Sequence, residues 1–221
     1  MNITDAIKNR ISTRAFLPKD VPHELVTEIL SIARWAPSSK NIQPWEVVVA
    51  TGQTKEKISD ILLQQFRHKV EPTSDIIEER NLSGIYKERA FICGMALYGA
   101  LKIDRGDKEK RIAQWEKNYH FYDAPVALFF FTEKHLGEGA IFDCGMFVQN
   151  VMLAAEEFGL ATCPQHSVGD YPKPIKELFG EKYHNKILLT GMTLGYPDRS
   201  VPENNYRTER APVSDFTTFF D

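Results

Sequence analysis

Pro125-Val126-Ala127-Leu128-Phe129-Phe130-Phe131-Thr132 is the stretch on which the fold turns. Its apolar run, even counted from Ala124, falls far short of the roughly 20 residues that span a bilayer, and its aromatic content reads as a strand. Upstream, Trp45-Glu46-Val47-Val48-Val49-Ala50 is a β-branched run expected to form a buried strand. Downstream, Lys186 to Leu194 reads as a third.

Helical periodicity fills the intervals. Ile141 to Phe158 carries Phe142, Gly145, Met146, Val148, Gln149, Met152 and Leu153, and Gly159 stands where a helix ends. Thr54 to Phe66 repeats through Ile58, Ile61, Leu62 and Gln65, and Lys87 to Ile103 offers small residues for close packing. At the start, Thr4 and Asp5 are placed to cap a short helix running toward Asn9. Asp20 and Pro22 open another, with Leu25, Ile29, Ile32 and Ala33 as its stripe, and Pro37 stops it near Trp35. Residues 67–90 and 104–118 are charged and give no firm signal, and the last part of the chain reads as an extended tail. Strands separated by long helices, without tight hairpins, predict an α+β or α/β fold.

The chain has 221 residues, 43% hydrophobic and 26% charged, enough for one good core and short for two domains. A formal charge of −3 gives no basic field for nucleic acid. Cys93, Cys144 and Cys163 are odd in number and widely spaced, so they form neither a disulfide framework nor a zinc CxxC pair and favour a reducing compartment. The polar start MNITDAIKNR lacks the apolar core of a signal peptide. A cytoplasmic protein that engages no membrane and no nucleic acid is expected.

The sharpest local feature is Arg10-Ile11-Ser12-Thr13-Arg14. If extended, it projects Arg10, Ser12 and Arg14 to one side. Two guanidinium groups and a hydroxyl on one face suit a phosphate or other anion; the plainer reading is a solvated charged loop. Arg207 and Arg210 form a second cationic pair, with surface charge beside Glu209 as its plain reading. No GxxxxGK[ST] loop is present, and Gly137 and Gly139 lack the third glycine of a dinucleotide fingerprint. Polar residues between Pro37 and Pro44 offer a hydrogen-bonding rim for a planar ligand, or merely connect helix to strand with Trp45 as anchor. Cys163, His166 and Ser167 lie close together and suggest a nucleophile. However, a GxSxG elbow would need glycine where Gln165 stands, and a buried cysteine is commonly just a small apolar residue.

Taken in order, RISTR, APSSKNIQPWEVVV, YDAPVALFFF, FGLATCPQHS, LLTGMTLGYP and RTERAPVSDF resemble the FMN-dependent nitroreductase family over nearly the whole chain. The resemblance implies an α+β fold with a central, mostly antiparallel sheet flanked by helices. It also implies a domain-swapped homodimer with FMN at the subunit interface. One domain would span 1–221, with a variable insert around 64–122 and a C-terminal arm around 199–221. Carried over by position, Arg10, Ser12 and Arg14 are similar to the N-terminal flavin-binding motif, whose basic residues meet the phosphate and the N1–C2 edge of the ring. Pro37, Ser38, Ser39 and Asn41 match the loop that reaches the flavin from the partner. Pro164, Gln165 and His166 match the segment beside the isoalloxazine ring, and Arg210, with Arg207, resembles the C-terminal phosphate-binding arginines.

The implied activity is reduction of nitroaromatic, quinone or similar acceptors by NADH or NADPH in a ping-pong cycle. The flavin carries the chemistry and no side chain acts as acid or base. Arg14 is the candidate cation at the ring edge that takes up negative charge on reduction. The alternatives are a flavoenzyme of the same fold acting on another small molecule, by dehalogenation or dehydrogenation, and a flavin-binding protein with little turnover. The region after the first strand's helix departs from the family pattern, so 64–122 leaves the pocket wall and the substrate unassigned.

Overall fold

Val126, Leu128 and Phe130 pack on one side of the central sheet and Ala127, Phe129 and Phe131 on the other, and all six are buried. Side chains alternate along a strand, so a run without polar residues demands a covered face on each side. The computed structural model, which describes residues 2–76 and 81–220, supplies both covers. Strands Glu46–Thr51 (β1), Val126–Glu133 (β2), Ala161–Gln165 (β3) and Lys186–Gly195 (β4) form one sheet in the order β1-β2-β4-β3. Every neighbouring pair is antiparallel. On the first face lie His23–Ala33 (α2) and Gly137–Glu157 (α6), through Val26, Ile29, Phe147 and Val151. The second face meets Gly52–Arg67 (α3) and Pro172–Phe179 (α7) through Ile58, Leu62 and Ile175, together with Tyr119 and Phe121. Ile3–Asn9 (α1), Gly84–Ala100 (α4) and Lys108–Glu116 (α5) complete the helices.

In β4 the register slips between Phe130 and Phe131, which pair with Thr190 and Leu188. Such a bulge inserts one residue and reverses which side chains face which way. Leu189 accordingly joins the α2/α6 side before the slip, and Met192 and Leu194 join it after. Gly191 sits beside this irregularity for a steric reason. A Cβ there would lie 2.8 Å from Cγ1 of Val168 and 2.9 Å from its Cβ. The missing side chain lets the turn after β3 press onto the sheet.

Several expectations need correction. Asn2, not Thr4 or Asp5, caps α1, its side chain accepting from the Asp5 N–H. β1 is an edge strand, half-buried along most of its length, because only β2 covers it. α4 begins at Gly84 and ends at Ala100, three residues earlier at each end than periodicity suggests. α5 lies within the charged 104–118 stretch, and β3 and α7 arise where no element was expected. The tail contains short 3₁₀ turns at Pro202–Asn204 and Val213–Asp215. Residues 77–80 of the 64–122 stretch, Met1 and Asp221 lie outside the described residues. No helix among the described residues is long and apolar enough to cross a membrane.

Gly191→Ala should therefore push Val168 and the turn that holds it off the sheet, at a cost of about 1–3 kcal/mol typical of overpacking. A urea midpoint unchanged from the parent would refute this close approach.

Candidate functional site

The Arg10–Arg14 segment leaves α1 and runs beside β3 for one rung: Ser12 and Thr162 form a parallel bridge, and the Thr13 N–H donates to the Thr162 carbonyl at 3.0 Å. With Thr13 buried, Arg10, Ser12 and Arg14 all line a cavity of about 380 Å³. Arg207 and Arg210 line the same cavity. The two cationic clusters, almost the whole chain apart in sequence, are thus brought together within one chain.

The tail is what closes the distance. Asn204, buried, accepts from the Arg14 N–H through Oδ1 at 2.8 Å, and its Nδ2 donates to the carbonyls of Ala15 and Asp198 at 2.8 and 2.7 Å. Arg207 donates to the carbonyls of Lys8 and Asn9, both at 2.9 Å, which end α1. Arg210 turns onto its own segment, bonding Thr208 and the Glu209 carbonyl. One carboxylate, Glu203, also borders the cavity and accepts from Lys117 at 3.3 Å.

Arg14 stands at the junction with a second cavity of about 560 Å³, lined also by Pro164, Gln165 and His166 at the end of β3. Its Nη1 donates to Tyr206 Oη at 2.7 Å and to the Ser12 carbonyl at 3.2 Å. Burial works against the Arg14 charge, but attraction to Cys163, Tyr122 and Tyr206 once they ionise at high pH, with a hydrogen bond to Tyr122, holds its pKa above the ordinary arginine value. Burial likewise pushes the Tyr122 phenol far up. The site therefore presents a fixed cation framed by neutral hydroxyls. Burial also raises the Cys163 thiol, against the opposing pull of Arg14. It raises Cys144 to about 11. Burial thus favours the neutral thiol at both positions, which weighs against a nucleophilic Cys163.

Pro37, Ser38, Ser39 and Asn41 line neither cavity. Their loop is docked on α6, where the Ser39 N–H donates to buried Asp143 at 3.0 Å, and the Gln43 N–H donates to Ser38 Oγ at 2.9 Å. Lys40, Asn41 and Gln43 have φ of 51°, 56° and 48°, which costs these non-glycine residues of order 1–3 kcal/mol each. Trp45 closes the loop by stacking on Phe147, centroids 4.7 Å apart and planes 7° from parallel.

The donor set fits FMN. Arg10 Nε is buried with no hydrogen-bond partner among the described residues, as are Gln165 Oε1 and Ser167 Oγ beside the second cavity. A phosphate between Arg10, Ser12 and the tail arginines and a flat polar ring edge at Arg14 would satisfy groups of this kind. Sequence reasoning gave no site role to Asn204, Tyr122 or Tyr206. Each belongs to a segment without periodicity, and the only available signal was a run of polar residues between aromatics.

This sheet, with an arginine-rich cavity opening beside the β3 end, is a nitroreductase architecture. The chain belongs to the Nitroreductase family, whose sequence model matches residues 7–196. It is 35% identical over 215 residues to a 4-nitrobenzoate reductase of Pseudomonas putida, covering 96% of this chain and 93% of that one. It is 36% identical over 220 residues to a nitrobenzene nitroreductase of Ectopseudomonas oleovorans, covering 98% and 96%. The crystal structure of the FMN and NADPH-dependent nitroreductase NfnB from Sphigopyxis sp. strain HMH superposes with a TM-score of 0.95 at 33% identity, covering 100% of both chains.

Cys163→Ala should leave bound flavin in place and cost only the modest stability of lost packing, about 1 kcal/mol. Flavin still bound with NAD(P)H oxidation abolished would reinstate a thiol mechanism.

Proposed function

We propose that this chain is an FMN-dependent oxidoreductase that uses NADH or NADPH to reduce nitroaromatic acceptors, with quinones as further acceptors. The convergence of Arg10, Ser12, Arg14, Arg207 and Arg210 on one cavity, with Arg14 shared by the next, carries this reading. The names of the relatives above support it. When bound, FMN supplies the hydride chemistry. Arg10, Ser12 and Arg210 hold the phosphate, with Arg207 both a ligand and a brace against α1. Arg14, kept cationic and fixed by Tyr206, favours negative charge at the ring edge. Pro164, Gln165 and His166 set the ring's position. Residues of the 64–122 insert wall part of the remaining space, which stays open to solvent. Reductant and acceptor would occupy that space in turn, as a ping-pong cycle requires. The free thiols suit a reducing compartment, and we place the protein in the cytoplasm.

Homodimerisation belongs to the same proposal. α4 buries none of its residues, although Ile85, Phe91 and Ile92 are apolar, and Phe142 on α6 is 72% exposed. The arm divides at about Arg210: its first part folds back on its own chain, whereas Phe216, Phe219 and Phe220 are 70%, 82% and 94% exposed. So much apolar surface calls for a cover, and a second copy provides one. Pro37, Ser38, Ser39 and Asn41 would then reach the partner's flavin.

Purified protein should be yellow with one FMN per chain. Charge-assisted contacts are worth roughly 1.5–3 kcal/mol, so Arg10→Ala should weaken FMN affinity by about one to two decades at 1.4 kcal/mol per decade. An unaltered dissociation constant in fluorescence titration would reject the phosphate assignment.

Deleting the chain from Asp215 onward removes the three exposed phenylalanines of the tail and keeps every proposed phosphate ligand. Dissociation or aggregation with loss of FMN is expected. A stable monomer still carrying FMN, seen by sedimentation at a flavin wavelength, would refute the shared site.

A further inference from the structure

α5 inverts the usual helix pattern: its one buried residue is Gln114, while Ile112 and Trp115 are about half exposed, at 53% and 47%. Gln114 is only 6% exposed, and its Nε2 has no hydrogen-bond partner among the described residues. It lines the 560 Å³ cavity beside Arg14. Buried amide donors are almost always paired, so an unpaired one bordering a cavity marks a place where a ligand atom belongs.

The chain just after α5 is anchored at Asn118. Gln165 Nε2 donates to the Asn118 carbonyl at 2.6 Å, and Tyr122 Oη donates to Asn118 Oδ1 at 2.8 Å, tying the end of α5 to the end of β3. Tyr98 and Trp115 give the same cavity aromatic walls. Its charges are few. Arg14 donates through Nη1 alone to Tyr206 and to the Ser12 carbonyl, Asp170 contributes a carboxylate that accepts from Ser74 at 3.2 Å, His166 is the remaining basic side chain, and no lysine is among its described lining residues.

We propose that Gln114 is a specificity-determining residue whose amide donates to an oxygen of the acceptor substrate, and that the preferred acceptors are uncharged nitroaromatics rather than nitroaromatic carboxylates. This rests on the oxidoreductase reading above. A planar neutral ring would fit between aromatic walls with a nitro or carbonyl oxygen on the Gln114 amide. A carboxylate would face Asp170, and the one arginine among the described lining residues, Arg14, is given to the flavin ring edge in that reading, so no second lysine or arginine offsets its desolvation.

The test uses the FMN-loaded protein with NADPH and compares nitrobenzene with 4-nitrobenzoate. It also measures calorimetric binding of the unreactive probes benzamide and benzoate. For the parent, kcat/KM should favour nitrobenzene by about tenfold or more, one uncompensated charge being worth about a decade. Gln114→Leu should raise the benzamide dissociation constant and the nitrobenzene KM about threefold to tenfold, the scale of one neutral hydrogen bond, with FMN content retained. Gln114→Lys should move the preference toward 4-nitrobenzoate. Should the leucine variant fold poorly, Gln114→Met replaces it, and the parent's own preference decides independently. Equal use of both acceptors by the parent, or unchanged benzamide affinity in the leucine or methionine variant, would overturn the proposal. A parent that binds no FMN overturns the oxidoreductase reading itself, whereas one that binds FMN and reduces nitrobenzene but ignores the Gln114 substitutions overturns this assignment alone.

Discussion

Strand β2 has no face that can meet water, and most of the architecture follows from covering it. Phe130 must be met from one side by Phe147 of α6, their rings 6.2 Å apart, and Phe129 from the other by Phe121 and Phe179, at 5.8 and 5.2 Å. Burying each such ring is worth roughly 1.5–3 kcal/mol, so helices on both faces are obligatory. β4 and β3 then extend the sheet on one side of β2, and the Arg10–Arg14 segment attaches at the free edge of β3. The cavities lie beside this edge. Core packing and ligand chemistry are thus separated in space, and the polar segments near Arg14 need not compete with the phenylalanines for burial.

The elements legible in the sequence were those whose pattern and packing agree. β2 and α6 have long apolar signatures because both are deeply buried, and the Arg10–Arg14 alternation survives because one backbone rung keeps it extended. α5 was hidden because its buried residue is a glutamine and its tryptophan lies half in solvent. α7 is only eight residues long and starts with two prolines among charges. β3 contains Pro164 and a cysteine in a short run that resembled a nucleophile motif more than a strand. Being at a sheet edge, it can accommodate a residue that donates no hydrogen bond.

The site shows the same division. Arginines announce themselves, but the groups that aim them do not. Tyr206 and Asn204 fix Arg14 from a distance of about 190 residues in sequence, and no local periodicity encodes such a contact. The tail arginines were visible as charge; their arrival beside Arg10 depends on the clamp that Asn204 makes to Ala15 and Asp198. Sequence motifs report which chemistry is present, whereas contacts between distant segments decide where that chemistry points.

The Pro37–Pro44 loop has a consequence of a different kind. Lys40, Asn41 and Gln43 occupy left-handed backbone, held there by the hydrogen bond to Asp143 and by the stacked Trp45. Its conformational entropy has already been surrendered within the single chain. A segment shaped in advance loses little further freedom when another surface meets it. Docking onto this loop would consequently behave as rigid-body recognition, with its temperature dependence set by surface dehydration and little contribution from chain ordering.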